Sequence, residues 1–246
     1  MTGQLVDQPE LGKRRDSHAV LFRGPIDHDA AAGCYEHLRS TGRVPRLDLV
    51  LATTGGPATA ARRLALLLHE YTDHLTILVP YRARSSGTLL CLAAHELVLG
   101  PLAELGPLDP QIAAAGPPPP GQPAVLSAED LRAFRAMARD WFGVDRPEDR
   151  LQVLALVAQR VFPGTLGAFY RAERLVRSIA AELLALQLPD AEPAARDAIV
   201  EELVTGRHAH DDVITRGQAR ALGLRVSYPD AEQEDLLWGA LEGSNP

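Results

Sequence analysis

The segment Ala83-Arg84-Ser85-Ser86-Gly87-Thr88, read with Thr53-Thr54-Gly55-Gly56-Pro57, decides how this chain folds. Each lies where an apolar run ends and a helical pattern begins. The run Leu47 to Ala52 precedes the glycine pair, and Ala58 to Tyr71 follows it; Leu75 to Pro80 precedes Ser85, and Thr88 to Ala94 follows. Strand-to-helix junctions of this kind sit side by side in a parallel α/β unit. One would present a serine hydroxyl at the start of a helix. The other would bring glycine backbone N–H groups close to a ligand. A nucleophile beside an oxyanion hole is the minimum equipment for acyl transfer.

Moving outward, the pattern continues on both sides. His18 to Arg23 reads as a first strand closed by Gly24-Pro25, with Asp27 or Asp29 capping a helix from Ala30 to Ser40. Glu96 to Leu99 reads as a fourth strand. Strands alternating with helices predict right-handed βαβ units and a mostly parallel sheet. Beyond it, Gly116-Pro117-Pro118-Pro119-Pro120-Gly121 excludes regular helix and central strand, so 112–126 is expected to be an exposed loop. Residues 127–205 read as mainly helical, opened by a capping box at Ser127 with Asp130 in the third position and containing a long amphipathic helix from Leu166 to Leu186. Ile214 to Leu222 reads as a short helix and Leu224 to Val226 as a last short strand. The expected organisation is a flexible tail over 1–16, one domain over 17–230 and a C-terminal tail over 231–246.

Composition narrows the chemistry. The 246 residues carry a net charge of −7, with no basic cluster beyond Lys13-Arg14-Arg15, which argues against nucleic acid as a partner. No apolar run reaches the roughly 20 residues that span a bilayer, and Met1 to Asp16 lacks the apolar centre of a signal peptide, so a cytoplasmic protein without membrane contact is expected. Lys13 is the sole lysine. A Ser–Lys dyad therefore has no second lysine to draw on, and arginine does not give up its proton to serve as base. A Walker phosphate loop is absent, and Thr54-Gly55-Gly56-Pro57 lacks the spaced third glycine of a dinucleotide fingerprint. Cys34 and Cys91 fall in helices without metal-binding or redox spacing and read as small buried apolar residues.

Ser85 alone would be an ordinary N-cap, and Gly55-Gly56 alone an ordinary tight turn. Together they define more. The N–H of Ser86 would point the same way as the Ser85 hydroxyl and form half of an oxyanion hole, with Gly55 or Gly56 supplying the other half. Ser86 is a rival nucleophile, and would leave the donor role to Gly87.

The run Ala83 to Leu90, followed by Glu96-Leu97-Val98-Leu99-Gly100-Pro101 and Glu104-Leu105-Gly106-Pro107-Leu108-Asp109-Pro110-Gln111, resembles the serine dehydrogenase proteinase family. That family is a branch of the superfamily holding the Clp protease proteolytic subunit, signal peptide peptidase A and crotonase. Phe22-Arg23-Gly24-Pro25-Ile26-Asp27 resembles the first strand and turn of the Clp-type subunits. Leu203-Val204-Thr205-Gly206 through His210-Asp211 and Leu222-Gly223-Leu224 resembles the family's closing segment. The resemblance spans about Val20 to Val226; the proline-rich insertion and Ser86, where alanine is common, depart from it.

The resemblance implies a Clp protease/crotonase-like spiral of ββα units with a helical C-terminal portion, and a serine peptidase with Ser85 as nucleophile. Histidine is the usual base. His28, His37, His69, His74 and His95 are read as surface or structural residues, whereas His210 occupies a position matching a family histidine. The segment after the fourth strand, where Clp-type subunits carry their histidine, here holds Asp109. An exchanged arrangement is therefore expected, with His210 as base and Asp109 as the group orienting it; Asp211 is a second candidate orienter. His208, His210 and Asp211 would also suit a metal, but no clear third ligand joins the two histidines, so no metal and no cofactor are expected. The expected activity is ATP-independent cleavage of peptides or proteins by a homo-oligomer of trimers or larger rings. Two rivals use the same fold: a crotonase-type acyl-CoA enzyme, and a catalytically silent scaffold.

Overall fold

A computed structural model of the chain describes residues 3–113, 125–206 and 212–243. In chain order the elements are β1 (Leu5–Asp7), α1 (Pro9–Arg15), β2 (His18–Arg23), α2 (His28–Thr41), β3 (Val44–Ala52), α3 (Ala58–Glu70), β4 (Thr72–Val79), β5 (Arg82–Ala83), α4 (Ser86–Leu92), β6 (Glu96–Leu99) and β7 (Glu104–Leu105). They continue with β8 (Gln111–Ala113), β9 (Val125–Ser127), α5 (Ala128–Phe142), α6 (Pro147–Arg160), α7 (Pro163–Gln187), α8 (Pro193–Thr205), β10 (Ile214–Thr215), α9 (Arg216–Ala221), β11 (Val226–Ser227) and α10 (Ala231–Glu242).

The main sheet has the order β1-β2-β3-β4-β6-β11, parallel throughout except for antiparallel β1. Its long strands alternate between two apolar faces. Leu49, Leu51, Ile77 and Val79 face the larger core, which takes in residues of α2, α3, α4, α7 and α8. Leu21, Val50, Leu78 and Val98 face the other way, onto a smaller core completed by Leu11 of α1 and Leu237 of α10. A strand that is apolar on both faces requires cover on both. Here the cover on the second face comes from the chain termini.

The expected tails therefore need correction. Residues 5–15 form β1 and α1, and 231–242 form α10. Arg15 reaches the buried Asp48 of β3, and Ser17 Oγ donates to the same carboxylate at 2.8 Å, which fastens α1 to the sheet. Arg14 pairs with Asp230 and Glu232 at 2.8 and 2.9 Å, tying α1 to the start of α10.

The ββα character comes from strands too short to read in the sequence. After β4 the chain makes β5, and after β6 it makes β7; these join β10 in a second, three-stranded sheet of order β10-β7-β5. Each unit thus gives one strand to the large sheet and a two-residue strand to the small one before its helix. The expected N-caps fall as read: Asp27 Oδ1 accepts from the Ala30 amide at 2.7 Å, and Ser127 and Asp130 form a reciprocal capping box. The proline-rich stretch 116–121 lies outside the described residues; β8 and β9, which flank it, pair antiparallel. Among the described residues no single helix is long and apolar enough to cross a membrane.

Candidate active site

The two junctions meet. Beyond the end of β3, Thr53 N donates to Arg82 O at 2.9 Å, and Arg84 N donates to Thr53 O at 3.2 Å, so the Gly55 turn is bonded directly to the strand leading into Ser85. The approach is close enough to require glycine. A Cβ on Gly55 would lie 2.8 Å from Arg84 O and 3.0 Å from Ser85 Cβ, and Gly55 has φ +101°. The turn is braced from its other side, where Ile26 N donates to Gly55 O at 2.9 Å.

Ser85 itself has φ 52° and ψ −118° and sits at the N-cap position of α4, yet its side chain makes no capping hydrogen bond. A non-glycine residue in this region costs on the order of 1–3 kcal/mol and persists only when its surroundings impose it. Here they do. The Gly55 turn packs on one side of Ser85. On the other, a Cβ on Gly106 would fall 2.9 Å from Ser85 N. The Leu105-Gly106-Pro107 passage is held there by buried Thr88, whose Oγ1 lies 2.8 Å from Gly106 O and accepts from Gly106 N at 2.9 Å. Arg84 and Glu104 add an ion pair at 2.6 Å across β5 and β7. Thr88, Gly106 and Glu104 thus give the most distinctive sequence motif a physical purpose: they clamp the backbone that presents the serine.

Of the two glycines, Gly55 has its amide committed, donating to Thr53 Oγ1 at 3.0 Å. Gly56 and Ser86 make no backbone amide hydrogen bond among the described residues. Among the described residues Ser86 Oγ is buried without a hydrogen-bond partner, whereas Ser85 is half-buried. A cavity of about 510 Å³ opens beside them, lined by Gly56, Ser85, Ser86 and Asp109, with Leu89, Leu108, Leu175 and Val176 forming an apolar wall. Leu175 and Val176 of α7 come from a part of the chain that carries no motif; only the packing of α7 on α3 and α4 brings them in.

Asp109 is buried in this lining. Its Oδ1 accepts from the Glu129 amide at 3.2 Å, at the start of α5, and lies 3.7 Å from the Arg132 guanidinium. His208, His210 and Asp211 lie outside the described residues. The other histidines expected to be structural include His69 and His95. The Nε2 of His69 is 2.7 Å from Ala93 O, and His95 Nδ1 accepts from Leu75 N at 2.9 Å, at the end of β4 remote from Ser85. Burial, followed by the neighbouring His69 and His74, holds the His95 pKa below its ordinary value. Both cysteines are buried; burial pushes the Cys34 thiol up to about 12 and raises Cys91 as well, so neither is a thiolate near neutrality.

A strained serine at a helix start, glycine amides beside it and an apolar cleft on a parallel α/β sheet are the features of a ClpP-like fold, and the comparisons agree. Residues 25–128 match the model of the ClpP-like SDH-type serine proteinase family. The chain is similar to two proteins of Methanocaldococcus jannaschii. The uncharacterized protein MJ0137 is 29% identical over 197 residues, covering 78% of this chain and 58% of the relative. The uncharacterized protein MJ1495 is 40% identical over 75 residues, covering 30% of this chain and 26% of the relative. The chain thus spans less than two thirds of the length of either relative. Among solved structures, the 1510-N membrane-bound stomatin-specific protease, in a serine-to-alanine variant, aligns with a TM-score of 0.54 at 15% identity, covering 87% of this chain and 80% of that one. At that identity the likeness concerns the fold.

Proposed function

We propose that this protein is a serine peptidase that acts through an acyl-enzyme on Ser85. The Ser85 hydroxyl attacks a peptide carbonyl carbon, and its proton passes to His210. The oxyanion is held by the amides of Gly56 and Ser86. His210 then returns the proton to the leaving amine, and water enters by the reverse sequence to release the acyl group. Asp109 orients His210, and Asp211 is the alternative for that role. Gly55 shapes the turn and does not donate, because Thr53 takes its amide.

One observation carries this reading. Ser85 is held at φ 52° between two close backbone passages, with its hydroxyl out of the capping bond that its position would favour. The apolar wall of Leu89, Leu108, Leu175 and Val176 suits an apolar substrate side chain next to the scissile bond. A crotonase-type acyl-CoA enzyme would need cations for the nucleotide phosphates, and among the described residues the cavity lining offers Asp109 and no cation. Cleavage needs no nucleotide in this scheme. The exposed side chains of Trp141, Phe142, Leu151 and Phe162 on the helical segment support assembly into a homo-oligomer.

Hydrolysis of an unfolded protein substrate tests the scheme. Wild type cleaves it, Ser85→Ala reduces turnover to background, and His210→Ala lowers it by a factor of at least about 1,000. Full turnover in Ser85→Ala would refute the nucleophile; full turnover in His210→Ala would refute the base alone.

A further inference from the structure

At the opposite end of the parallel strands from Ser85, three metal-ligating side chains converge that no sequence motif links. Asp7 lies in edge strand β1, opposite Val20 in the antiparallel ladder with β2. His18, two residues from Val20, shares its face, so Asp7 and His18 are diagonal cross-strand neighbours. That face is covered by α2, whose Cys34 and Leu38 join Val20 in the larger core. His37 adjoins Leu38 at the margin of that contact and completes the group.

The spacing is that of a coordination shell. Asp7 Oδ1 lies 3.1 Å from His37 Nε2 and 3.3 Å from His18 Nε2. All three ligand atoms fall within 4.8 Å of one another. Tetrahedral zinc, with bonds of about 2.0–2.2 Å to imidazole nitrogen and carboxylate oxygen, separates its ligand atoms by about 3.3–3.6 Å. A second observation points the same way: His18 Nε2 is buried and, among the described residues, makes no hydrogen bond of acceptable geometry, although a carboxylate oxygen stands beside it. A buried ring nitrogen without a hydrogen bond is costly unless another partner takes its lone pair.

We propose that Asp7, His18 and His37 bind one divalent transition-metal ion of the zinc type, with water as the fourth ligand. Two imidazoles and a carboxylate form a donor set that such an ion accepts. The ion would join β1, β2 and α2 and so pin the edge strand to the body of the sheet. The expectation of no metal rested on ligands near one another in sequence; these stand at positions 7, 18 and 37 and meet only through folding. The site is independent of the assignment of Ser85.

The test uses the full chain stripped by a chelator and titrated with Zn²⁺ by calorimetry and with Co²⁺ by visible absorption. One equivalent of each is expected to bind, with cobalt giving the ligand-field bands of a four-coordinate site. Zinc at about 100 times its Kd should raise the melting midpoint by about 5–10 °C. Asp7→Asn and His37→Ala should weaken binding by at least about tenfold while melting, in chelator, with wild type in chelator. The exposed Asp7 makes Asp7→Asn decisive even where His18→Ala fails to fold. Absence of saturable one-to-one binding overturns the proposal. So does binding that Asp7→Asn and His37→Ala leave unchanged, since an ordinary carboxylate–imidazolium pair would then account for the cluster.

Discussion

Replacing Gly56 by alanine probes the oxyanion hole without touching the nucleophile. A Cβ at this position would lie 2.0 Å from Ile26 O and 2.9 Å from Ile26 C, both backbone atoms that cannot swing aside. Relief requires Gly56 to move by about 1 Å, because non-bonded carbon and oxygen do not approach much within 3.0 Å. The turn has little room for that move, since Ile26 N is bonded to Gly55 O at 2.9 Å. An oxyanion donor works at about 2.7–3.1 Å, so a displacement of about 1 Å removes the Gly56 amide from the hole. The expected loss is about 2.7–4 kcal/mol of transition-state stabilisation, or about 100- to 1,000-fold in kcat. Overpacking should cost the fold a further 1–3 kcal/mol or so, visible as a lower melting temperature. The assay pairs substrate hydrolysis with the rate of fluorophosphonate labelling, measured well below the melting transition of the variant. Gly56→Ala that keeps a native circular dichroism spectrum and labels within about threefold of the wild-type rate would refute the role given to this amide.

Other consequences are as specific. Ser86→Ala removes a buried hydroxyl that has no partner among the described residues, so it should leave labelling unchanged and stability equal or up to about 1 kcal/mol higher; lost labelling would move the nucleophile to Ser86. Arg15→Ala strands the buried Asp48 charge and should cost about 3–5 kcal/mol in chemical denaturation, against less than about 1 kcal/mol if residues 1–16 were a loose tail. His95 gives a pH dependence. Burial, and then His69 and His74, lower its folded pKa below the ordinary 6.5, so the unfolded chain binds the proton more tightly. Its contribution is intact above pH 6.5 and is lost as pH falls below that value; His95→Gln should flatten this acid limb of the stability curve, and an unchanged limb would assign the loss elsewhere.

The sequence pattern disclosed the elements whose signal is local. Each long strand from β2 to β6 is an apolar run closed by Gly, Pro or a capping residue; α2 and α3 carry amphipathic stripes, whereas α4 is buried on every side. The Ser85 and Gly55-Gly56 junctions stood out for the same reason. The two-residue strands β5, β7 and β10 exceed no local threshold; they exist because the chain on either side is already placed. The termini read as tails because Leu11 lies in a polar segment and the apolar run Leu236 to Leu241 is short, while their partners Leu21, Val50 and Leu78 occupy the second face of strands that the first core already explains. At the site, the clasp of Thr88 on Gly106 and the entry of Leu175 into the cavity are long-range contacts with no periodic trace. The same holds for Asp7, His18 and His37, whose only sequence property is that each is a common residue on a polar margin.

The account rests on which hydroxyl is activated, and mapping a covalent adduct reads that directly. Intact chain treated with a fluorophosphonate and then digested for mass spectrometry should carry a single added phosphonyl group on Ser85, absent after prior heat denaturation. An adduct on Ser86 or on a serine remote from the Gly55-Gly56 turn, or no adduct on folded protein that is otherwise sound, would contradict it.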